Sequence, residues 1–150
     1  MTFKDLPRDW PTRPVTDPQI TADLLDLIVG ERDRQNGAIG VLVCGTGGRL
    51  FEPVVVSEPP TTATLEERRA VFDAVGHAMG EPEGRPPGAG LLVAVARPGA
   101  PLVTAGDRSW RQAAEVTCAD AGLVLHGVWL MTPAVIRPIP RSGEDSRRSA

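Results

Sequence analysis

The residues best placed for chemistry lie in one stretch, Val95 to Asp107, which reads VARPGAPLVTAGD. Arg97 and Asp107 flank a Pro/Gly turn, and Thr104 precedes Asp107 by three positions. An arginine is a permanent cation with a forked set of donors, suited to gripping an anionic group. A carboxylate within its reach could serve as a base. No His–Ser, Cys–His or paired-carboxylate set accompanies these residues, so the partners that activate a nucleophile are missing. The other chemistry-bearing residues stand alone. His77 reads as a partly exposed helix residue, and His126, on the face of Val124, Val128 and Leu130, as a hydrogen-bonded core histidine. Cys44 and Cys118 form no CxxC and lie in apolar segments, where cysteine behaves as a small hydrophobe. The glycine cluster Gly45–Gly48 lacks the Lys-Ser/Thr and the strand-to-helix setting of a phosphate loop, and reads as a hairpin turn.

The elements that must position these residues follow from hydrophobic spacing. Ala38–Cys44 and Leu91–Ala96 are short, uniformly apolar runs, the pattern of strands covered on both faces. Leu123–Met131 has the same character, Arg49–Val56 reads as the return strand of a hairpin, and Val135–Ile139 as a last short strand. Pro53 cannot donate to a ladder and marks its strand as an edge or a bulge.

Three helices are expected between and before the strands. The first starts at Thr16 or Asp17 with Pro18 in its first turn, buries Ile20, Leu24, Leu27 and Ile28, and ends in the solvated run Glu31–Arg34. The second starts at Thr64, with Glu67 completing a capping box, and turns Leu65, Phe72, Val75 and Met79 inward and Arg68 and Arg69 outward. The third is capped by Thr104 or Asp107 and carries Trp110, Ala113, Ala114, Thr117, Cys118 and Ala121 on one face, ending at Gly122. Strands alternating with helices give an α/β fold: a mixed β-sheet flanked by about three helices. Residues 1–15 read as an extended N-terminal arm, 16–140 as a single domain, and 141–150 as a disordered tail.

Composition narrows the function classes. A net charge of −3 leaves no basic footprint, which argues against nucleic acid as a partner. All sixteen basic residues except Lys4 are arginine, and aromatics make up only 4% of the chain. The core must therefore come from Val, Leu, Ile and Ala. No apolar run approaches the ~18 residues of a membrane span, and MTFKDLPRDW has no signal core, so the expected location is cytoplasmic, with no membrane partner.

From about Ala38 to Ile139 the chain resembles the JAMM (JAB/MPN) metalloprotease-like domains, and within them the RadC-like branch. In that family a strand ends in His-x-His-Pro, a Pro/Gly turn follows, Ser-x-x-Asp opens a helix, and an Ala-Gly-apolar junction leads to the next strand. Here Pro98 matches the motif proline, Thr104 stands for the serine, Asp107 matches the aspartate, and Ala121-Gly122-Leu123 matches the junction. The resemblance implies a JAB/MPN-like, cytidine-deaminase-like architecture. It also implies a degenerate metal site at Val95, Arg97, Thr104 and Asp107. Val95 and Arg97 occupy the two histidine positions, and Asn36, Gly37 and Ala38 stand where the general-base glutamate would fall. A catalytic zinc needs three protein ligands and an open position, so neither a metal nor another cofactor is expected.

The function implied is that of an inactive JAMM/RadC-like domain serving as a protein interaction or scaffolding module, with another protein as its partner. The alternative is an enzyme of unrecognised chemistry using Arg97, Thr104 and Asp107, with Arg97 and Asp107 as binding residues. A small-ligand or nucleotide module built on Gly45–Gly48 ranks last.

Overall fold

The computed structural model describes residues 6–59 and 63–141. Five strands form one sheet: β1 (Ala38–Cys44), β2 (Leu50–Ser57), β3 (Gly90–Ala96), β4 (Val124–Met131) and β5 (Ile136–Pro138), in the order β2-β1-β3-β4-β5. β1 runs antiparallel to both β2 and β3, β3 and β4 are parallel, and β5 returns antiparallel to β4. The sheet is therefore mixed, as the alternation of strands and helices predicts. β1 and β3 are buried along their whole length, which explains why neither shows a polar/apolar alternation. β2 is one of the two edge strands, and a bulge opposite Val43 and Cys44 interrupts its pairing, so Pro53 sits where a missing N–H is tolerated.

Four helices cover the two faces. α3 (Leu65–Ala78) and α4 (Ala105–Ala121) lie on one, over a core of Val41, Val93, Phe72, Trp110, Ala114 and Leu130. α1 (Thr21–Ile28) and α2 (Glu31–Asn36) lie on the other, where Leu24, Leu25 and Val29 pack on Leu42, Leu92 and Met131. The N-terminal helix departs from its expected form in two ways. It starts at Thr21, because Asp17 heads a turn instead: its carboxylate accepts from Gln19 N–H and its carbonyl from Ile20 and Thr21. It also stops at Ile28. Val29 is extended and wholly buried, and Gly30 restarts the chain as the cap of a separate α2. The run Glu31–Arg34 is thus the body of that second helix, which brings the α-helices among the described residues to four, against an expectation of about three.

Arginines tie the layers together through backbone carbonyls. Arg34 on α2 donates to Thr132 and Val135 in the β4–β5 turn, and Arg111 on α4 donates to Ile139. Arg85, in the connection after α3, donates to Gly76, Gly80 and Ala121, bonding the C-terminal ends of α3 and α4 together. Those carbonyls carry the negative ends of two helix dipoles, so the guanidinium is electrostatically matched there.

Of the N-terminal arm, Trp10–Thr12 forms a short 3-10 turn, Pro14 bridges to Arg49, and Val15 is fully buried with its N–H on Gly48. The expected tail lies outside the described residues but for Arg141. Among the described residues no helix is long and apolar enough to cross a membrane.

Candidate functional site

The end of β3 and the start of α4 bring Val95, Arg97, Thr104 and Asp107 into one corner. α4 starts there because Thr104 caps it: the Thr104 hydroxyl accepts from Asp107 N–H at 3.2 Å, and the Asp107 carboxylate accepts from Thr104 N–H at 2.8 Å. This reciprocal box makes Thr104 the N-cap and Asp107 the third helical residue, where its charge also meets the positive end of the helix dipole. The reading of Asp107 itself as N-cap is corrected accordingly.

Arg97 closes the corner. Its Nε and Nη2 donate to the two carboxylate oxygens of Asp107 at 2.9 and 2.8 Å, a bidentate pair. The remaining donors bond the turn between them: Nη1 to the carbonyls of Pro98 and Ala100, both at 3.0 Å, and Nη2 to that of Leu102 at 2.8 Å. A guanidinium has five N–H donors, and five bonds are made. Asp107 is 2% exposed and Arg97 21%. Hydrogen bonding to Asp107 raises the already high pKa of Arg97 further, so the cation is fixed. Arg97 has no unused donor for a bound anion, and both oxygens of Asp107 are already engaged by Arg97 and the Thr104 N–H. The Val95 side chain faces the α3/α4 core, 4% exposed.

A metal does not fit this donor set. A cation at Asp107 would have to displace a guanidinium that already holds both oxygens, and Val95 and Arg97 bring no ligand atom for it. Among the described residues no three His, Cys, Asp or Glu side chains converge elsewhere either. Residues 36–38 do lie at this end, since Ala38 pairs with Ala96 across β1 and β3. The acidic residue the backbone brings to that edge is Glu58, at a left-handed φ of 50°, whose N–H bonds the Gly37 carbonyl and whose side chain is exposed.

The other candidates separate. In Gly45–Gly48 the N–H groups of Gly45, Gly47 and Gly48 bond Arg49, Pro87 and Gly45 carbonyls, so they are turned inward and cradle nothing. His126 donates from Nε2 to the Gly88 carbonyl at 2.8 Å at the opposite end of the sheet. His77 is exposed on α3. Cys44 and Cys118 are free and buried, and desolvation pushes their thiols up to about 12 and about 11, which keeps both protonated and unreactive.

Arg68 departs from its expected place. Expected on the outer face of α3, it is buried, with its guanidinium 5.5 Å above the Trp110 ring, which meets Phe72 edge-on. Its spacing of four from Phe72 placed it on the inward stripe, and a Trp on the facing helix was the available signal. The free energy of the stacking offsets part of the cost of burying a cation that has no carboxylate partner among the described residues. Compared with known proteins, the chain is matched by no family model, no curated protein and no solved structure.

Proposed function

We propose that the protein is a non-hydrolytic domain of JAMM/RadC-like architecture that acts as a protein interaction module. The observation that carries this reading is the Arg97–Asp107 pair. It stands where a metal site would be built and replaces it with a closed, self-satisfied turn. The mixed sheet with helices on both faces is compatible with that architecture. A fixed turn is useful for recognition, because a surface held in one conformation loses little entropy on binding. This turn presents Pro98, Gly99, Ala100, Pro101 and Leu102 to solvent, with Leu102 65% exposed.

The test has two arms. Metal content of protein purified without chelator should be far below one zinc per chain; stoichiometric zinc that disappears in Asp107→Ala would overturn the non-hydrolytic part. A photo-crosslinking residue at position 102, expressed in the producing organism, should yield a discrete protein adduct that Pro101→Asp abolishes. No adduct above that of a crosslinker at the exposed α3 position 70 would overturn the interaction part.

A further inference from the structure

A second region, with no motif to announce it, is shaped to hold a molecule. α4 packs on β3 and β4, and α3 packs along α4, so α3 does not come fully down on the edge strand β2. What remains is a cavity of about 750 Å³ between α3, the inner face of β1 and β2, and the connection after α3. Its floor is Val43, Val54 and Val56. One wall is a second apolar stripe of α3, Val71, Ala74 and Ala78, beside the Phe72/Val75 stripe that fills the core. Gly84–Pro86 and Ala89 form the opposite wall. Cavities that bind small ligands run from about 300 to 1,000 Å³ and are mostly apolar with few polar groups, and this one meets both conditions.

The charges around it define what it would take. The lining contains one cation and one carboxylate, Arg85 and Glu52, of opposite sign. Arg85 Nη1 and Nη2 donate to three carbonyls of the α3 and α4 ends, its Nε, unpartnered among the described residues, is buried and so closed to an occupant, and Glu52 is exposed on the edge strand. Neither sign of charge in an occupant would gain a dedicated partner, while either would be desolvated over valine and alanine. We infer that the cavity is a binding site for an uncharged, mainly hydrocarbon small molecule, of the class of a long-chain alcohol or an aromatic hydrocarbon. Three-sided walls favour a small molecule over a partner helix, whose diameter of about 10 Å needs an open groove.

The full chain tests this with a neutral fluorescent naphthylamine as probe, displaced by 1-decanol or by decanoate, and with methyl NMR shifts of Val54, Val56 and Met79. Saturable probe binding is expected, with shifts confined to those methyls and decanol displacing the probe at least about tenfold better than decanoate. Ala74 and Ala78 are exposed helix positions, so Ala74→Trp and Ala78→Trp fill the space without touching the core. Each should weaken the probe at least about tenfold, whereas Asp73→Trp, at an exposed α3 position outside the lining, should not. No saturable shift in the unsubstituted protein would overturn the site, as would binding unaffected by both filling variants. Decanoate equal to decanol would overturn the uncharged class. Dimerisation through this face, broken by the filling variants, would replace the ligand with a second copy of the chain and also overturn the proposal.

Discussion

The corner around Arg97 and the cavity beneath α3 are opposites. In the corner, residue types associated with chemistry meet at hydrogen-bonding distance, and each donor of Arg97 ends on an oxygen of the same turn or of Asp107. In the cavity the lining is mainly apolar, with Arg85 and Glu52 its charged residues, and what remains open is volume. Saturation closes a polar site as completely as side-chain packing closes an apolar one. Residue identity alone is thus a poor guide to where a ligand can be held; unused valence and unfilled space are better ones.

Four measurements can break or sharpen that contrast. Asp107→Ala removes the counter-charge and half of the capping box, leaving Arg97 without its main partner. By urea denaturation it should cost about 3 kcal/mol, the lower end for breaking a buried pair because Arg97 is partly solvated. A loss under about 1 kcal/mol would place the pair among ordinary surface bridges. A matched pair of truncations comes next. Val95→Ala, in the packed corner, should cost about 2 kcal/mol, but Val54→Ala, on the cavity floor, no more than about 1 kcal/mol, since its outer side already lacks neighbours. Equal costs would mean that the cavity is filled in solution.

Arg97→Lys keeps the charge and loses the fork. It should cost about 1 kcal/mol and speed amide exchange across residues 98–103, because one ammonium cannot serve four acceptor groups. The smallest effect is the pH response of the buried thiols. Their folded pKa values lie above the ordinary 9.0, at about 12 and about 11. Their contribution is therefore fully present below pH 9 and is lost as pH rises toward the folded values, because only the unfolded chain ionises in that window. Cys44→Ala with Cys118→Ala should flatten the decline of stability between pH 9 and 11; an unchanged slope would assign it to other groups.

Much of the frame was legible in the sequence, for local reasons. Ala38–Cys44 was read to the residue because a continuous apolar run bounded by Gly37 and Gly45 leaves little choice, and the Thr64–Glu67 box fixed the start of α3. Gly122, at a left-handed φ of 68°, ends α4 where expected. The misreadings arose where tertiary geometry overrides the local pattern. The apolar spacing of Ile20 to Ile28 is continuous with the charged run, and only the burial of Val29 in extended form splits the helix. Leu65 was expected inside and is 38% exposed, while Arg68, one turn on, is buried. The saturation of Arg97 was invisible because three of its acceptors are backbone carbonyls, which have no sequence signature. The cavity was equally invisible: Ala74 and Ala78 look like neutral helix formers, and the space beside them depends on how far α3 stands from β2.

The connection after α3 also sets a clock. It is pinned at one end by Arg85 on two helix termini, and at the other by Gly47 N–H on the Pro87 carbonyl, where a side chain on Gly88 would meet Gly48 N at 2.7 Å. It is a door jamb and not a door. The side chains lining the space behind it include half-buried Met79 and exposed Phe51, and exposed side chains exchange rotamers in picoseconds to nanoseconds, faster than backbone segments rearrange.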